Sequence, residues 1–492
     1  MSDLSHKVNS GIGWVTGARF AIRGLGLLST LVCARILTPG DYGLIALATS
    51  FIGLLDLATS FSFDVALIQK PDVRREHFDT VWTLNILLYC GVGTIVMASA
   101  PWVAGFYREP RLTGVLAWMA LAFTITGFQN TAIVSFRRDL AFHKDSLLMV
   151  VQKVLGVAVT IPLAIWLRDY RALVAGQVVS SVASVAASYV AWPRMPRFRL
   201  EAARELFGFS IWLLLNNFLI FLRTRGFEFV IGKLSGAYAL GVFNIAFEIS
   251  NLPSSELVAP LNRVVLPVYA QLATRPAELR QEFGRLLQWI AMVALPLSVG
   301  IGAVAEPAVE VMLGPKWDRA IPLLTPLALT GAFTILTSNT GALLNALGQP
   351  RLILWVGIVQ VGSLLPVIAL GAWLGGLPGA AWALALHSLL LGFVIVYSVV
   401  LRATPVRLTD LLQAVWRPGF AVALMFPAVE VLHRFLAPQR DFASEAVALV
   451  AEVVTGAAVY IAVVSFLWRL SGRQEGPESA LWRRLEVVRR YR

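Results

Sequence analysis

The chain has 492 residues, of which 57% are hydrophobic and only 14% are charged, and its mean hydropathy is +0.72. Soluble domains carry roughly 25% charged residues, and disordered chains combine low hydrophobicity with high net charge. The composition therefore excludes both classes and predicts a protein that crosses a membrane many times. In such a protein the net charge of +12 indicates Lys and Arg in cytoplasmic loops rather than nucleic-acid binding.

Apolar stretches long enough to span a bilayer recur along the whole chain. A hydrocarbon core of about 30 Å needs roughly 20 apolar residues per helix. Fourteen stretches meet this requirement: 12–37, 42–68, 80–105, 112–136, 146–167, 172–192, 206–232, 238–267, 283–305, 320–345, 352–374, 378–401, 416–436 and 446–468. The sequence thus predicts an all-α membrane protein with about fourteen transmembrane helices.

Lys and Arg are distributed unevenly between these spans. With the N-terminus inside, 25 of the 41 lie in inside segments, 10 lie in outside segments, and six lie within spans. This asymmetry follows the positive-inside rule and predicts that both termini are cytoplasmic. The outside loops are short, so we expect no extramembrane catalytic domain.

An internal repeat relates the two halves of the chain. Residues 35–48 align without gaps to residues 233–246 at an offset of 198, which pairs Gly43 with Gly241. The second copy lies six spans after the first, an even number, so both copies have the same topology. Same-topology repeats are typical of transporters with alternating access. We therefore predict two six-helix bundles in a pseudo-twofold arrangement. The two bundles comprise residues 1–192 and 206–401, and a cytoplasmic linker at 193–205 joins them. Two additional helices follow at 402–468, and a basic cytoplasmic tail follows at 469–492.

Cationic and polar side chains interrupt several apolar spans. A charge at the bilayer centre costs a few kcal/mol, so it usually faces a cavity or a partner. The candidate substrate-binding residues are Arg19, Arg23, Lys153, Asn217, Arg223 and Arg225. One interpretation is a hydrophilic cavity between the bundles in which arginines donate to an anion, since the planar guanidinium bonds phosphate bidentately. The alternative is that these arginines pair with acidic residues and hold helices together.

Four carboxylates also lie within spans: Asp56, Asp64, Glu228 and Glu248. If transport is driven by an ion gradient, they are the candidates for binding the coupling ion. Proline within a helix removes a hydrogen bond and crowds the preceding turn. Pro253 and Pro260, in the eighth span, are therefore candidate hinge residues.

Signatures of several enzyme classes are missing from the sequence. It contains no P-loop, no zinc motif and no nucleophile elbow. We therefore predict no catalytic residues, no metal site and no cofactor, and we expect no nucleic-acid partner.

Four short motifs carry a family resemblance. They are ARILTPGDYGL at residues 34–44, FRRDLAF at 136–142, LGPKWDR at 313–319 and ALGQPR at 346–351. Through them the chain resembles the MOP flippase superfamily. Within it the chain is most similar to the polysaccharide transporter (Wzx-type) family, in particular to the colanic and teichuronic acid exporter-like lipopolysaccharide biosynthesis proteins.

This resemblance implies a flippase for an undecaprenyl-pyrophosphate-linked oligosaccharide repeat unit in the bacterial inner membrane, used in exopolysaccharide or O-antigen assembly. It implies that cavity arginines hold the pyrophosphate. It also implies contact with membrane lipids and a polysaccharide polymerase and chain-length regulator as partners. Three alternatives stay open: a MATE-like multidrug or cation antiporter, a polysaccharide polymerase or ligase-type membrane enzyme, and a scaffold that does not transport.

Overall fold

The structure is a computed structural model. It describes residues 2–57, 59, 63, 67–68, 70, 72–203, 211–436, 442–472, 477 and 479, with backbone alone for 2–10, 12, 211–216 and 255–264. Throughout this described part every regular element is helical and no strand occurs. The predicted all-α class is therefore confirmed. The chain divides into two compact units, residues 1–241 and 242–492.

Among the described residues of the first unit there are eight α-helices, the last of which continues into the second unit, and a 3-10 helix at Thr131–Ile133. The α-helices are α1 (Ser2–Ile36), α2 (Pro39–Asp56), α3 (Arg75–Tyr107), α4 (Arg111–Thr126), α5 (Val134–Arg138), α6 (Phe142–Leu167), α7 (Arg171–Ala191) and α8 (Ile211–Ser250). Small residues allow α6 and α7 to approach closely. A Cβ added to Gly176 would lie 1.8 Å from Thr160 Oγ1, which is the small-residue packing typical of membrane helices.

Residues of the LTPGDYG motif begin α2. The Thr38 hydroxyl accepts a hydrogen bond from the Asp41 backbone N–H, and the Asp41 carboxylate accepts one from the Thr38 N–H at 2.9 Å. This capping box satisfies two backbone donors at the helix start, and Pro39 occupies the first turn, where its missing N–H costs nothing. The motif therefore fixes the point at which α2 begins.

The two copies of the internal repeat touch at equivalent residues. A Cβ on Gly43 would lie 1.6 Å from the Ala237 carbonyl oxygen, and a Cβ on Gly241 would lie 1.8 Å from the Pro39 carbonyl oxygen. Ala237 and Pro39 are themselves separated by the offset of 198. The contact between α2 and α8 is thus reciprocal and passes directly between backbones, which only glycine at both positions permits.

The predicted linker is held against the first unit. Its non-helical residues 193–200 follow α7, and the Asn130 side-chain amide donates to the carbonyl oxygens of Trp192 and Arg194, both at 3.0 Å. Further along, the Arg197 N–H donates to Asp79 at 3.2 Å. The boundary between the compact units lies later, inside α8, so the predicted bundle limits at 192 and 206 stay a prediction.

The described residues of the second unit form nine further α-helices, a 3-10 helix at Pro315–Ala320 and a π-helix at Ser388–Ile395. The α-helices are α9 (Leu252–Leu272), α10 (Pro276–Ala303), α11 (Ala305–Met312), α12 (Ile321–Leu336), α13 (Thr340–Ala346), α14 (Pro350–His387), α15 (Val396–Ala403), α16 (Leu408–Leu436) and α17 (Phe442–Leu470). The last two pack onto α10. The Tyr460 hydroxyl donates to the Met292 carbonyl oxygen at 2.8 Å, and Arg280 binds Asp410 through two bonds of 2.6 and 2.7 Å.

Two long helices are interrupted at glycines. The backbone of α8 leaves helical geometry at Gly236, whose φ is 83°. The backbone of α14 leaves it at Gly375 and Gly376, and the φ of Gly376 is 61°. These breaks fall between predicted spans seven and eight and between spans eleven and twelve. Glycine adopts a positive φ without steric cost, so Gly236 and Gly376 allow the backbone to leave helical geometry at these points.

Ten helical segments of the described residues are long and apolar enough to cross a membrane. The number is eleven if Arg111–Thr126 and Thr131–Arg138, bent by 62°, form one span. The chain is therefore a multi-pass membrane protein. The count of fourteen stays a prediction, and most of the predicted tail at 469–492 lies outside the described residues.

Candidate functional site

The helices α2 and α8 bring several predicted site residues onto neighbouring surfaces of the first unit. A Cβ on Gly232 would lie 2.5 Å from Leu47, and a Cβ on Gly53 would lie 3.0 Å from Phe221. The two helices therefore run antiparallel along each other. Asp56 on α2, and Asn217, Arg223, Arg225 and Glu228 on α8, are the predicted residues along this pair.

Arg225 and Glu228 form an ion pair one turn apart. Arg225 Nη1 lies 2.6 Å from Glu228 Oε1; the Glu228 side chain is 0% exposed and that of Arg225 is 51% exposed. The second carboxylate oxygen of Glu228 is buried without a hydrogen-bond partner among the described residues. For Arg225 the structure thus supports the alternative of internal pairing.

The surroundings of Arg223 differ from those of Arg225. It is exposed, and it forms no hydrogen bond or ion pair with any residue that the structure describes. Nearby on the same helix Asn217 is half-buried. On α2, the Asp56 carboxylate accepts a hydrogen bond from the Thr59 hydroxyl at 2.5 Å.

A second set of cationic side chains lies along the contact between α1 and α6. Arg19 and Arg23 are half-buried and share a helical face with Gly26, at spacings of four and three residues. The Lys153 ammonium of α6 lies 3.5 Å from the position that a Gly26 Cβ would occupy. Lys153 forms no hydrogen bond or ion pair within the described part of the chain. The structure therefore places three predicted cations on one helix pair.

The other predicted residues are placed separately. Glu248 is half-buried near the end of α8, in the second unit. The break after α8 occurs at Asn251, and Pro253 lies in the first turn of α9. α9 continues through Pro260, whose side chain is not described, and Asp64 lies outside the described residues. The hinge and ion-coupling roles stay predictions.

The family motifs lie at turns and helix ends. Gly314 begins the 3-10 helix Pro315–Ala320 with φ of 90°, and Gly348 precedes α14 with φ of 70°. In the second motif, Leu140 has φ of 56° and Arg137 binds Asp145 at 3.0 Å. These motifs therefore specify the architecture, and the predicted binding residues lie elsewhere.

Sequence reasoning missed a titratable cluster in the second unit. His433 of α16 contacts Glu306 of α11 and Glu452 of α17. The only sequence signal is a pair of acidic residues, Glu445 and Glu452, seven positions apart at the start of an apolar span. That spacing places them on one helical face.

Sequence comparison relates the chain to proteins of polysaccharide biosynthesis. A family model described as "Polysaccharide biosynthesis protein" matches residues 32–322. The lipopolysaccharide biosynthesis protein WzxC of Escherichia coli (strain K12) is 24% identical over 381 residues, which cover 76% of this chain and 77% of WzxC. The succinoglycan biosynthesis transport protein ExoT of Rhizobium meliloti (strain 1021) is 24% identical over 488 residues, which cover 98% of this chain and 96% of ExoT.

Two solved structures share the fold. The lipid II flippase MurJ, in an inward closed conformation, superposes with a TM-score of 0.70 at 11% identity, covering 92% of this chain and 98% of MurJ. A multidrug resistance MATE family transporter of the MOP superfamily, in an inward-facing conformation, gives a TM-score of 0.58 at 15% identity, covering 81% and 95% of the two chains. At these identities the likeness shows the fold alone.

Proposed function

Because this chain belongs to the polysaccharide biosynthesis protein family, as a Wzx-type exporter of the MOP superfamily, we propose that it flips an undecaprenyl-pyrophosphate-linked oligosaccharide repeat unit across the bacterial inner membrane. The repeat unit then serves exopolysaccharide or O-antigen assembly. The names of WzxC and ExoT and the fold shared with a lipid II flippase support this proposal. The proposal includes cytoplasmic N- and C-termini, and a polysaccharide polymerase and a chain-length regulator that use the flipped repeat unit.

The observation that carries the proposal concerns two cations, Arg223 on α8 and Lys153 on α6, which lie on separate helices that are apolar enough to cross the membrane. Neither has an ion-pair partner among the described residues. A central Arg or Lys costs about 2.5–3.5 kcal/mol on insertion scales, so a cation kept without a carboxylate is best explained by an anionic ligand. Pyrophosphate fits this chemistry, because guanidinium groups bind phosphate oxygens through two parallel hydrogen bonds.

The remaining predicted residues fit a binding and release cycle. Arg19 and Arg23 lie on the same helix pair as Lys153 and add donors for the pyrophosphate. Arg225 is held by Glu228 in the described conformation. A proton or cation that neutralises Glu228 would free Arg225 for the substrate, which links ion binding to substrate binding. Asp56, Asp64 and Glu248 are further candidates for the coupling ion, and the break at Asn251 and Pro253 is the proposed hinge.

A deletion strain tests the proposed function. Loss of the protein should stop polymer export and accumulate lipid-linked repeat units on the cytoplasmic side of the membrane. Complementation with Arg223→Gln or Lys153→Gln should restore less export than wild type at equal protein level. Arg434→Gln is the matched control, because this arginine is 75% exposed at the end of α16 and should restore export fully. Normal export in the deletion strain would contradict the proposal.

The second candidate is a multidrug antiporter, which the shared MATE fold favours. A pathway for cationic drugs needs carboxylates available to the drug, whereas Glu228 is engaged by Arg225. Arg223 and Lys153, which have no ion-pair partner among the described residues, are positive. We therefore expect unchanged sensitivity to cationic drugs in the deletion strain. Increased sensitivity that the intact gene reverses would favour the antiporter.

A further inference from the structure

A histidine joins three helices of the second unit through two carboxylates. His433 Nδ1 of α16 lies 2.7 Å from Glu452 Oε1 of α17, and His433 Nε2 lies 3.2 Å from Glu306 Oε2 of α11. Glu452 is 0% exposed, His433 is 20% exposed and Glu306 is 50% exposed. One imidazole therefore connects a buried carboxylate on one side to a half-exposed carboxylate on the other.

The protonation state of this bridge follows from its donors and acceptors. An ionised carboxylate accepts hydrogen bonds and donates none, and a neutral imidazole carries one N–H only. Both ring nitrogens of His433 face carboxylate oxygens, so two bonds to ionised carboxylates require the imidazolium. The neutral form leaves one ring nitrogen opposite a carboxylate oxygen with no proton between them.

A second proton lies in the same cluster. Glu445 of α17 is 4% exposed, and one of its carboxylate oxygens is buried without a hydrogen-bond partner in the described part of the chain. Burial of an ionised carboxylate without such a partner is costly, which favours protonation.

Charges from all three helices face the cluster. They are Glu306 and Glu310 on α11, Glu430 on α16, and Glu445 and Glu452 on α17. Arg434 binds Glu430 at 3.0 Å. No group of three His, Cys, Asp or Glu among the described residues has the geometry to hold a metal ion. Carboxylates therefore outnumber the cationic groups at this cluster.

We propose that the cluster around His433 is a proton-binding site whose protonation holds the helix pair α16–α17 against α11. The helix ends that form it are on the side predicted to face outside, so the protons come from the external medium. As the pH rises, deprotonation removes one bond of the bridge and exposes the carboxylates to mutual repulsion. The inference concerns the packing of the second unit and does not rest on the proposed function.

The sign of the pH effect is the same for both protons. Each stabilises the folded state when bound, so its contribution is present at low pH and lost as the pH rises. We expect the thermal unfolding midpoint of the full chain in lipid nanodiscs to fall from about pH 6 to about pH 9, the range that brackets imidazole titration. His433→Gln should remove most of this dependence. Arg434→Gln, one residue away, changes the charge but not the bridge and should keep the slope of wild type.

A milder variant keeps the test decisive if His433→Gln does not fold. Glu306→Gln offers an amide that donates to Nε2, so a neutral imidazole can satisfy both contacts, and the pH dependence should shrink. Infrared difference spectra should show a protonated carboxyl band that weakens in Glu445→Gln. A wild-type midpoint independent of pH, or an unchanged slope in Glu306→Gln, would overturn the proposal. A midpoint that falls on adding EDTA would also overturn it, in favour of a metal ion.

Discussion

At the scale of single residues, two arginines two positions apart have different surroundings. Arg225 is bound to Glu228, whereas Arg223 has no partner among the described residues. The sequence placed both on the same membrane helix and left pairing and ligand binding open for each. Only the side-chain geometry distinguishes them, because residues at i and i+3 on a helix meet while those at i and i+5 do not.

Arg23 tests the role of the cations on α1. Arg23→Ala should abolish polymer export, and Arg23→Lys should retain part of it, because Lys keeps the charge but not the bidentate geometry. A hydrogen bond to a charged group contributes about 1.5–3 kcal/mol, which corresponds to a loss of roughly tenfold to a hundredfold in export rate for each of the two bonds that Ala removes. Export is measured as surface polysaccharide at matched protein level. Normal export by the Ala variant would refute the role.

The ion pair between Arg225 and Glu228 predicts an asymmetry between two variants. Arg225→Gln leaves a fully buried carboxylate without its partner, whereas Glu228→Gln leaves an arginine that is half exposed. Removing one member of a buried pair costs up to about 3–5 kcal/mol, and partial exposure of the arginine reduces the cost of losing the carboxylate. Arg225→Gln should therefore lower the unfolding midpoint more than Glu228→Gln, and the double variant should recover stability. The opposite order would contradict the assigned pair.

At the scale of elements, the contact between α2 and α8 depends on two glycines that the repeat pairs. The sequence predicted their equivalence, and the structure shows that they meet. The interruptions at Gly236 and Gly375 fall in the short gaps between predicted spans, at 232–238 and 374–378. The break at Asn251 lies two residues before Pro253, where the sequence predicts a hinge, although the predicted span 238–267 runs across it. The hydrogen bond from the Ser250 hydroxyl to the Leu324 carbonyl of α12, at 3.2 Å, ties that break to a distant helix.

Side chains at the glycine contact should separate the two helices. Gly43→Ala and Gly241→Ala each place a methyl group within 2 Å of a backbone oxygen, and such overpacking typically costs about 1–3 kcal/mol. Both variants should lower the unfolding midpoint and reduce export. Gly40→Ala is the control on the same helix, because its Cβ meets only Thr38 Oγ1 at 3.7 Å. Equal stability of the three variants would show that the contact is not needed.

At the scale of the whole molecule, composition and charge predict most of the architecture. Apolar content predicts a multi-pass helical membrane protein, and the distribution of Lys and Arg predicts its orientation. The candidate site is less predictable, because its cations lie on helices from distant parts of the chain. The cluster around His433 is unpredictable for the same reason. Its contacts join Glu306, His433 and Glu452, which are far apart in the sequence, so no local sequence pattern predicts that they meet.

The most direct test of the central claim is flipping in proteoliposomes. The full chain is reconstituted with an undecaprenyl-pyrophosphate-linked oligosaccharide labelled on the sugar, and the fraction protected from an external membrane-impermeant reagent is followed over time. We predict transfer between leaflets that exceeds protein-free vesicles and falls when Arg223 and Lys153 are both replaced by Gln. Transfer by the wild-type protein at the rate of protein-free vesicles would contradict the account.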